Sequence, residues 1–276
     1  MSAQRRLLSL IGAGTLALAF AAIGVTPAQG ASNAIVSILH GVPDATVDVY
    51  ANGKALLENF EPGTLTDAQM LPAGSYDLKV VKAGDGPDGD AITSANNVKV
   101  PGGANITVVA HLTESGKPTL TPYANDVSTL PAGKARVIVR HDAAAPEVDV
   151  RAGGEPVFTD LANPKEDSAE IDPGTVKADV VVAGTDDVVI GPASLKVAEG
   201  TTTIVYAWGS AEDENLEFAV QAINGMHGSP NSVPGGTGGQ AAADGGPLWA
   251  SLIAVATLGA AVSGWQLYRR RAFMVR

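Results

Sequence analysis

The sequence predicts an all-β chain of two tandem β-sandwich domains between two apolar ends, and three observations lead there. The stretch Ile38 to Tyr50 returns as Val139 to Arg151, with His40 matched to His141 and Asp48 to Asp149 at one offset of 101. Short alternating segments recur with a turn signal about every ten residues, the pattern of a sandwich. No long segment carries the 3.6-residue apolar stripe of a helix.

Taken in order, residues 1–31 read as an export signal. Arg5-Arg6 supply a positive start, Leu7 to Val25 an apolar run, and Thr26-Pro27-Ala28 a small-residue cleavage region. The first repeat is expected over residues 34–126. Its strands are read at Ala34–Leu39, Val47–Tyr50, Ser75–Val81, Val98–Val100, Ile106–Ala110 and Thr119–Tyr123, with Asn52-Gly53 and Pro72-Ala73-Gly74 as turns. Thr129-Leu130-Pro131-Ala132-Gly133 lies in a linker over 127–133, short enough to restrict the two domains.

The second repeat, over 134–224, follows the same plan. Ala135–Arg140 and Val148–Arg151 are its first strands, and Gly153-Gly154 replaces the Asn-Gly turn. Val180-Val181-Val182 answers Val80-Val81-Lys82 at an offset of 100, and Thr203–Trp208 answers Thr107–Leu112 at about 96. Offsets that drift through loops while strands persist point to duplication of one fold.

Residues 225–246 shift to Gly, Ser, Pro and Ala and read as a tether. Residues 248–268 then read as a transmembrane helix, because Leu248–Leu267 carries no charge over 20 residues. Arg269-Arg270-Arg271 open a basic tail over 269–276, which places the tail inside and both β domains outside. The bilayer is therefore an expected partner through residues 248–268.

Charge narrows the remaining partners. All 29 acidic residues lie between Asp44 and Asp244, a span holding 12 of the 18 basic ones, so its net charge is −17. Nucleic acid would be repelled and is not expected as a partner. With no cysteine in the chain, disulfides, thiolate metal sites and cysteine nucleophiles are excluded together.

The repeated His40, Asp48, His141 and Asp149 could in principle ligate a metal or share a proton. A histidine before a Pro/Asp turn and an aspartate between two core valines are better read as structural residues bonding nearby backbone. Asp85, Asp88 and Asp90 sit in a Gly-rich stretch resembling part of a calcium loop, without the alternate-residue spacing or a later bidentate Glu. Lys134 and Asn224 would be the pair for an isopeptide cross-link. No hydrolase or nucleotide motif occurs, and neither a cofactor nor catalysis is expected.

The pattern of His40, Pro43-Asp44, Val47-Asp48-Val49-Tyr50, Asn52-Gly53 and Leu71-Pro72-Ala73-Gly74-Ser75-Tyr76 resembles domain-of-unknown-function family 4397. The resemblance covers residues 34–126 well and 134–224 more loosely. Repeat two departs from it at Asp142-Ala143-Ala144-Ala145 and carries Arg151 in place of Tyr50. It implies immunoglobulin-like or transthyretin-like sandwiches in an exported module of the bacterial envelope, often of high-GC Gram-positive bacteria. The expected function is that of a membrane-anchored surface module with an envelope protein or polysaccharide as partner. A metal-dependent receptor or hydrolase using the repeated His and Asp is the alternative, and an accessory subunit of a membrane complex a further one.

Overall fold

A computed structural model describes residues 32–228, and every regular element in them is a strand. The first repeat contributes β1 (Asn33–Gly41), β2 (Val47–Ala51), β3 (Lys54–Phe60), β4 (Gln69–Pro72), β5 (Gly74–Lys82), β6 (Ala91–Val100), β7 (Asn105–Leu112) and β8 (Pro118–Ala124). The second contributes β9 (Ala135–Ala144), β10 (Val148–Ala152), β11 (Glu155–Leu161), β12 (Glu166–Ile171), β13 (Gly174–Val182), β14 (Val188–Val197), β15 (Thr201–Ser210) and β16 (Glu217–Asn224). The signal over 1–31, most of the tether, the apolar span 248–268 and Arg269, Arg270 and Arg271 lie outside the described residues. Among the described residues no helix is long and apolar enough to cross a membrane.

Each repeat builds two four-stranded sheets. One has the order β3-β2-β5-β6 and its copy β11-β10-β13-β14; these are called outer below. The other has the order β4-β1-β7-β8 and its copy β12-β9-β15-β16; these are called inner. Within each inner sheet the first strand pairs parallel with a late one, β1 with β7 and β9 with β15, and all other pairs are antiparallel. That register refines the repeat. Ala110 stands opposite His40 and Ala207 opposite His141, so the late strands are offset by 97 rather than 96. His111 therefore corresponds to Trp208, a one-residue change that moves every side chain to the other face.

Local chemistry sets the hairpins. Asn52 and Gly53 both take positive φ, 50° and 76°, the backbone of a two-residue turn whose twist suits the flanking strands β2 and β3. Gly153 and Gly154 do the same between β10 and β11. Strands β3, β4, β11 and β12 were not expected. All four are sheet edges with mostly exposed, mixed-polarity residues, so they carry little of the alternation that marked the other strands.

In the first repeat the core draws on both sheets: Val36, Ile106 and Val108 pack with Leu78, Val98 and Val100, and Ile38 with Val47, Val49, Phe60 and Val80. In the second, Val137, Val139 and Val205 meet Val148, Val150, Phe158 and Val180. The inner sheets are also covered on their other face. A further cluster joins Leu39, Val109 and Tyr123 of repeat one to Ile138, Ile204, Tyr206 and Trp208 of repeat two. Strands β9 and β15 are consequently buried along their whole length.

The linker is fastened rather than free. Leu130 is fully buried, its N–H donates to Met226 O at 2.8 Å, and Gly228 N–H returns to Leu130 O at 3.1 Å. Residues 226–228, assigned by composition to the tether, thus pack back on the linker. Lys134 Nζ bonds Asp172 Oδ1 at 2.8 Å while Asn224 Oδ1 accepts from Thr201, so the candidate isopeptide pair is engaged elsewhere.

Candidate functional site

His40 and His141 close equivalent turns. His40 is fully buried; its Nε2 donates to Ala45 O at 2.7 Å and its Nδ1 accepts from Val42 N–H at 3.4 Å. His141 repeats this with Pro146 O at 2.9 Å and Ala143 N–H at 3.4 Å. Burial lowers the pKa of both imidazoles, opposed by the bond to the carbonyl. The unfolded chain takes up these protons near pH 6.5 and the folded one only at lower pH. Their contribution to stability is therefore complete above about pH 6.5 and lost as pH falls through the folded values. Urea midpoints should decline from pH 7 towards pH 5, and the slope should flatten in the double variant His40→Gln, His141→Gln; an unchanged slope would refute this assignment.

Asp48 is a clasp between two strands. Its Oδ1 accepts from Asn59 N–H at 2.8 Å and its Oδ2 from Gly84 N–H at 2.9 Å. Asp149 makes the same two bonds, to Asp160 and Gly184, both at 2.9 Å. Asn59 and Asp160 both have φ of 54° and sit where the pairing of β2 with β3, and of β10 with β11, shifts register. These backbone bonds hold the Asp149 carboxyl below the usual carboxylate range. Asp48→Ala leaves two backbone donors without their acceptor and is expected to destabilise by about 2–4 kcal/mol, read from urea unfolding. Asp48→Asn, which keeps one acceptor oxygen, should lose clearly less.

Asp85, Asp88 and Asp90 lie on the loop between β5 and β6, where Lys79 Nζ donates to Pro87 O at 2.8 Å. Among the described residues no three His, Asp or Glu side chains gather closely enough to hold a metal ion.

The densest chemistry lies where the two inner sheets meet. Arg140 on β9 is fully buried and uses three nitrogens: Nε to Glu166 Oε2 at 2.7 Å, Nη1 to Tyr206 Oη at 2.9 Å, and Nη2 to Asn125 Oδ1 at 2.9 Å. Its guanidinium lies 4.2 Å from the Tyr123 ring centre and 5.2 Å from that of Tyr206. Tyr206 donates to Gln221 Oε1 at 2.6 Å, which also accepts from Thr107 at 2.9 Å. Asn125 Nδ2 donates to Thr107 Oγ1 at 3.0 Å. The network therefore alternates between repeats, with Thr107, Tyr123 and Asn125 from the first and Arg140, Glu166, Tyr206 and Gln221 from the second.

Beside it, Tyr123 Oη donates to Asp142 Oδ1 at 2.7 Å, and His111 Nε2 lies 3.8 Å from the same oxygen. Burial raises the Asp142 carboxyl, opposed by His111, Tyr123, Arg140 and His141. Burial likewise pushes the Tyr123 and Tyr206 phenols up. A threonine, a histidine and an aspartate do converge here, but not as a relay. Thr121 Oγ1, at 2.8 Å, and Asp142 both face His111 Nε2, while Nδ1 is bonded to Leu112 O at 2.9 Å. In a nucleophile–base–acid relay the acid must hold the opposite nitrogen.

A family profile described as Domain of unknown function (DUF4397) matches residues 34–151, which takes in both copies of the His and Asp motif. The matched segment covers β1 to β8 and runs on through β9 into β10. No curated protein matches the chain. Among solved structures, a candidate cell adhesion protein from Bacteroides ovatus is similar at 10% identity and a TM-score of 0.23, over 71% of this chain and 98% of that one.

None of the junction residues was singled out from the sequence. One signal was available. At the offsets 101 and 97, the junction-facing positions Leu39, Gly41, Val109 and His111 of the first repeat become Arg140, Asp142, Tyr206 and Trp208 in the second. Core-facing positions between them stay alike, as Val36 and Val137 or Val108 and Val205 do.

Proposed function

We propose that the chain is a membrane-anchored surface module of the bacterial envelope, in which two tandem β-sandwiches act as one stiff binding or structural unit without catalysis. The observation that carries this reading is the network centred on the buried Arg140, which ties the two repeats through polar groups contributed by both. A flexible string of domains would not bury a guanidinium at the joint. Charge supports it too, since a strongly acidic span suits a soluble exterior face. In this reading the tandem is immunoglobulin-like or transthyretin-like, residues 1–31 direct export, and residues 248–268 with Arg269, Arg270 and Arg271 anchor the chain in the plasma membrane. An envelope protein or polysaccharide would be met by loops or by an exposed strand edge.

The test is protease accessibility on intact cells expressing the full chain. The β repeats should be digested from outside while the arginine tail stays protected until the cells are permeabilised. Protection of the β repeats in intact cells would overturn the surface assignment.

A further inference from the structure

Between the two sheets of the second repeat lies an apolar cavity of about 280 Å³, lined by Val139, Val150, Phe158, Val180 and Leu195 among others. We infer that it is a binding site for a hydrocarbon chain, the tail of a fatty acid or a lipid. This inference does not rest on the function proposed above.

The duplication shows how the cavity arises. Leu78 pairs with Ala51 in the first repeat and fills its core; Ala178 pairs with Ala152 at the same place in the second. Tyr76 pairs with Val98 and packs on the first core, its Oη bonded to Pro72 O at 2.7 Å, so it covers that end of the domain. Val176 pairs with Leu195 at the matching position, and Asp172 stands where Pro72 does. Two side chains that fill and cover the first core are thus replaced by smaller ones in the second, and both Val176 and Ala178 line the cavity.

Size and polarity select the ligand. An apolar cavity of about 150 Å³ holds benzene, so this one has room for a chain of about ten carbons. The lining offers almost no polar atom inside, which disfavours a sugar or a peptide. The more exposed lining residues, Val157 and Asp172, mark the mouth, and Lys134 reaches that rim through its bond to Asp172 at 2.8 Å. The rim is thus charged and open to water, so a polar head group can stay solvated there while the tail is buried.

The experiment is a thermal melt of the full chain with decanoate, and separately with decanoyl lysophosphatidylglycerol, to distinguish a free fatty acid from a lipid. At a hundredfold excess over Kd, Tm should rise by about 5 °C or more with one or both. Ala178→Leu, which restores the residue of the first repeat, should melt no lower than the wild type and lose the shift. Val176→Tyr, which restores the cover, should weaken binding at least tenfold through a different part of the site. No shift with either probe, together with a more stable Ala178→Leu, would make the cavity a packing vacancy and overturn the inference. Shifts retained in both variants would place the binding elsewhere and overturn it equally.

Discussion

Replacing Arg140 by methionine is expected to lower the stability of the β repeats by about 2–4 kcal/mol, because the buried Tyr206 and Asn125 lose a charged donor that nothing replaces. The side chain has similar length, so the loss comes from the groups left behind rather than from lost volume. Glu166 loses its closest cation, and Tyr206 and Asn125 lose a charged donor. The two tyrosine rings also lose the charge held between them. Because these groups come from both repeats, urea unfolding followed by tryptophan fluorescence should change from one transition towards two. Arg136 is the internal control. It lies on the same strand and pairs with the half-exposed Asp126 and Glu170, but its neutral acceptors, Asp126 O, Ser128 O and Ser128 Oγ, are only partly buried, unlike Tyr206 and Asn125. Arg136→Met should therefore cost only about 1 kcal/mol. Equal losses in the two variants would mean that the junction network does not couple the repeats.

This expectation could not have been framed from the sequence, and the reason is physical. The hairpin turns and the paired histidines were legible because each depends on neighbours a few residues away, and the aspartates, whose bonds reach as far as Gly84 and Gly184, because the repeat marks them. Asn52-Gly53 sets its own backbone, and His40 bonds to Ala45, five residues on. The edge strands β3 and β4 were illegible because one face is solvated and the other only partly covered, so no apolar alternation remains to be read. The junction was illegible for a different reason. Arg140, Tyr206 and Gln221 occupy alternate strand positions that a lone domain would give to solvent, and polar residues there look ordinary. Only the second repeat, pressed against that face, turns them into buried groups that must be satisfied. Asp142 shows the same point. It falls in the stretch where repeat two departs from its family pattern, and it accepts from Tyr123 in the other repeat.

Trp208 gives the second large effect, and two substitutions separate its causes. It stands at the position equivalent to His111 and lies across the junction on two glycines of the first repeat. A Cβ on Gly63 would meet its Cζ2 at 2.9 Å, and one on Gly41 its Cβ at 3.1 Å, so both glycines are needed for the indole to seat. Gly63 also has φ of 73°, which a side chain rarely adopts. Trp208→Ala removes a side chain that is almost fully buried and is expected to cost about 3–5 kcal/mol, with the higher end favoured if the glycine backbone cannot close the gap. Trp208→Phe should behave differently. The indole Nε1 is buried with no hydrogen-bond partner among the described residues, so phenylalanine gives up volume but also removes an unsatisfied donor. The two effects oppose each other, and the net change is expected within about 1 kcal/mol. Urea unfolding of both variants decides the matter. A phenylalanine variant as unstable as the alanine one would show that the nitrogen does find an acceptor in the folded protein, and that Trp208 belongs to the polar network rather than to the apolar seal beside it.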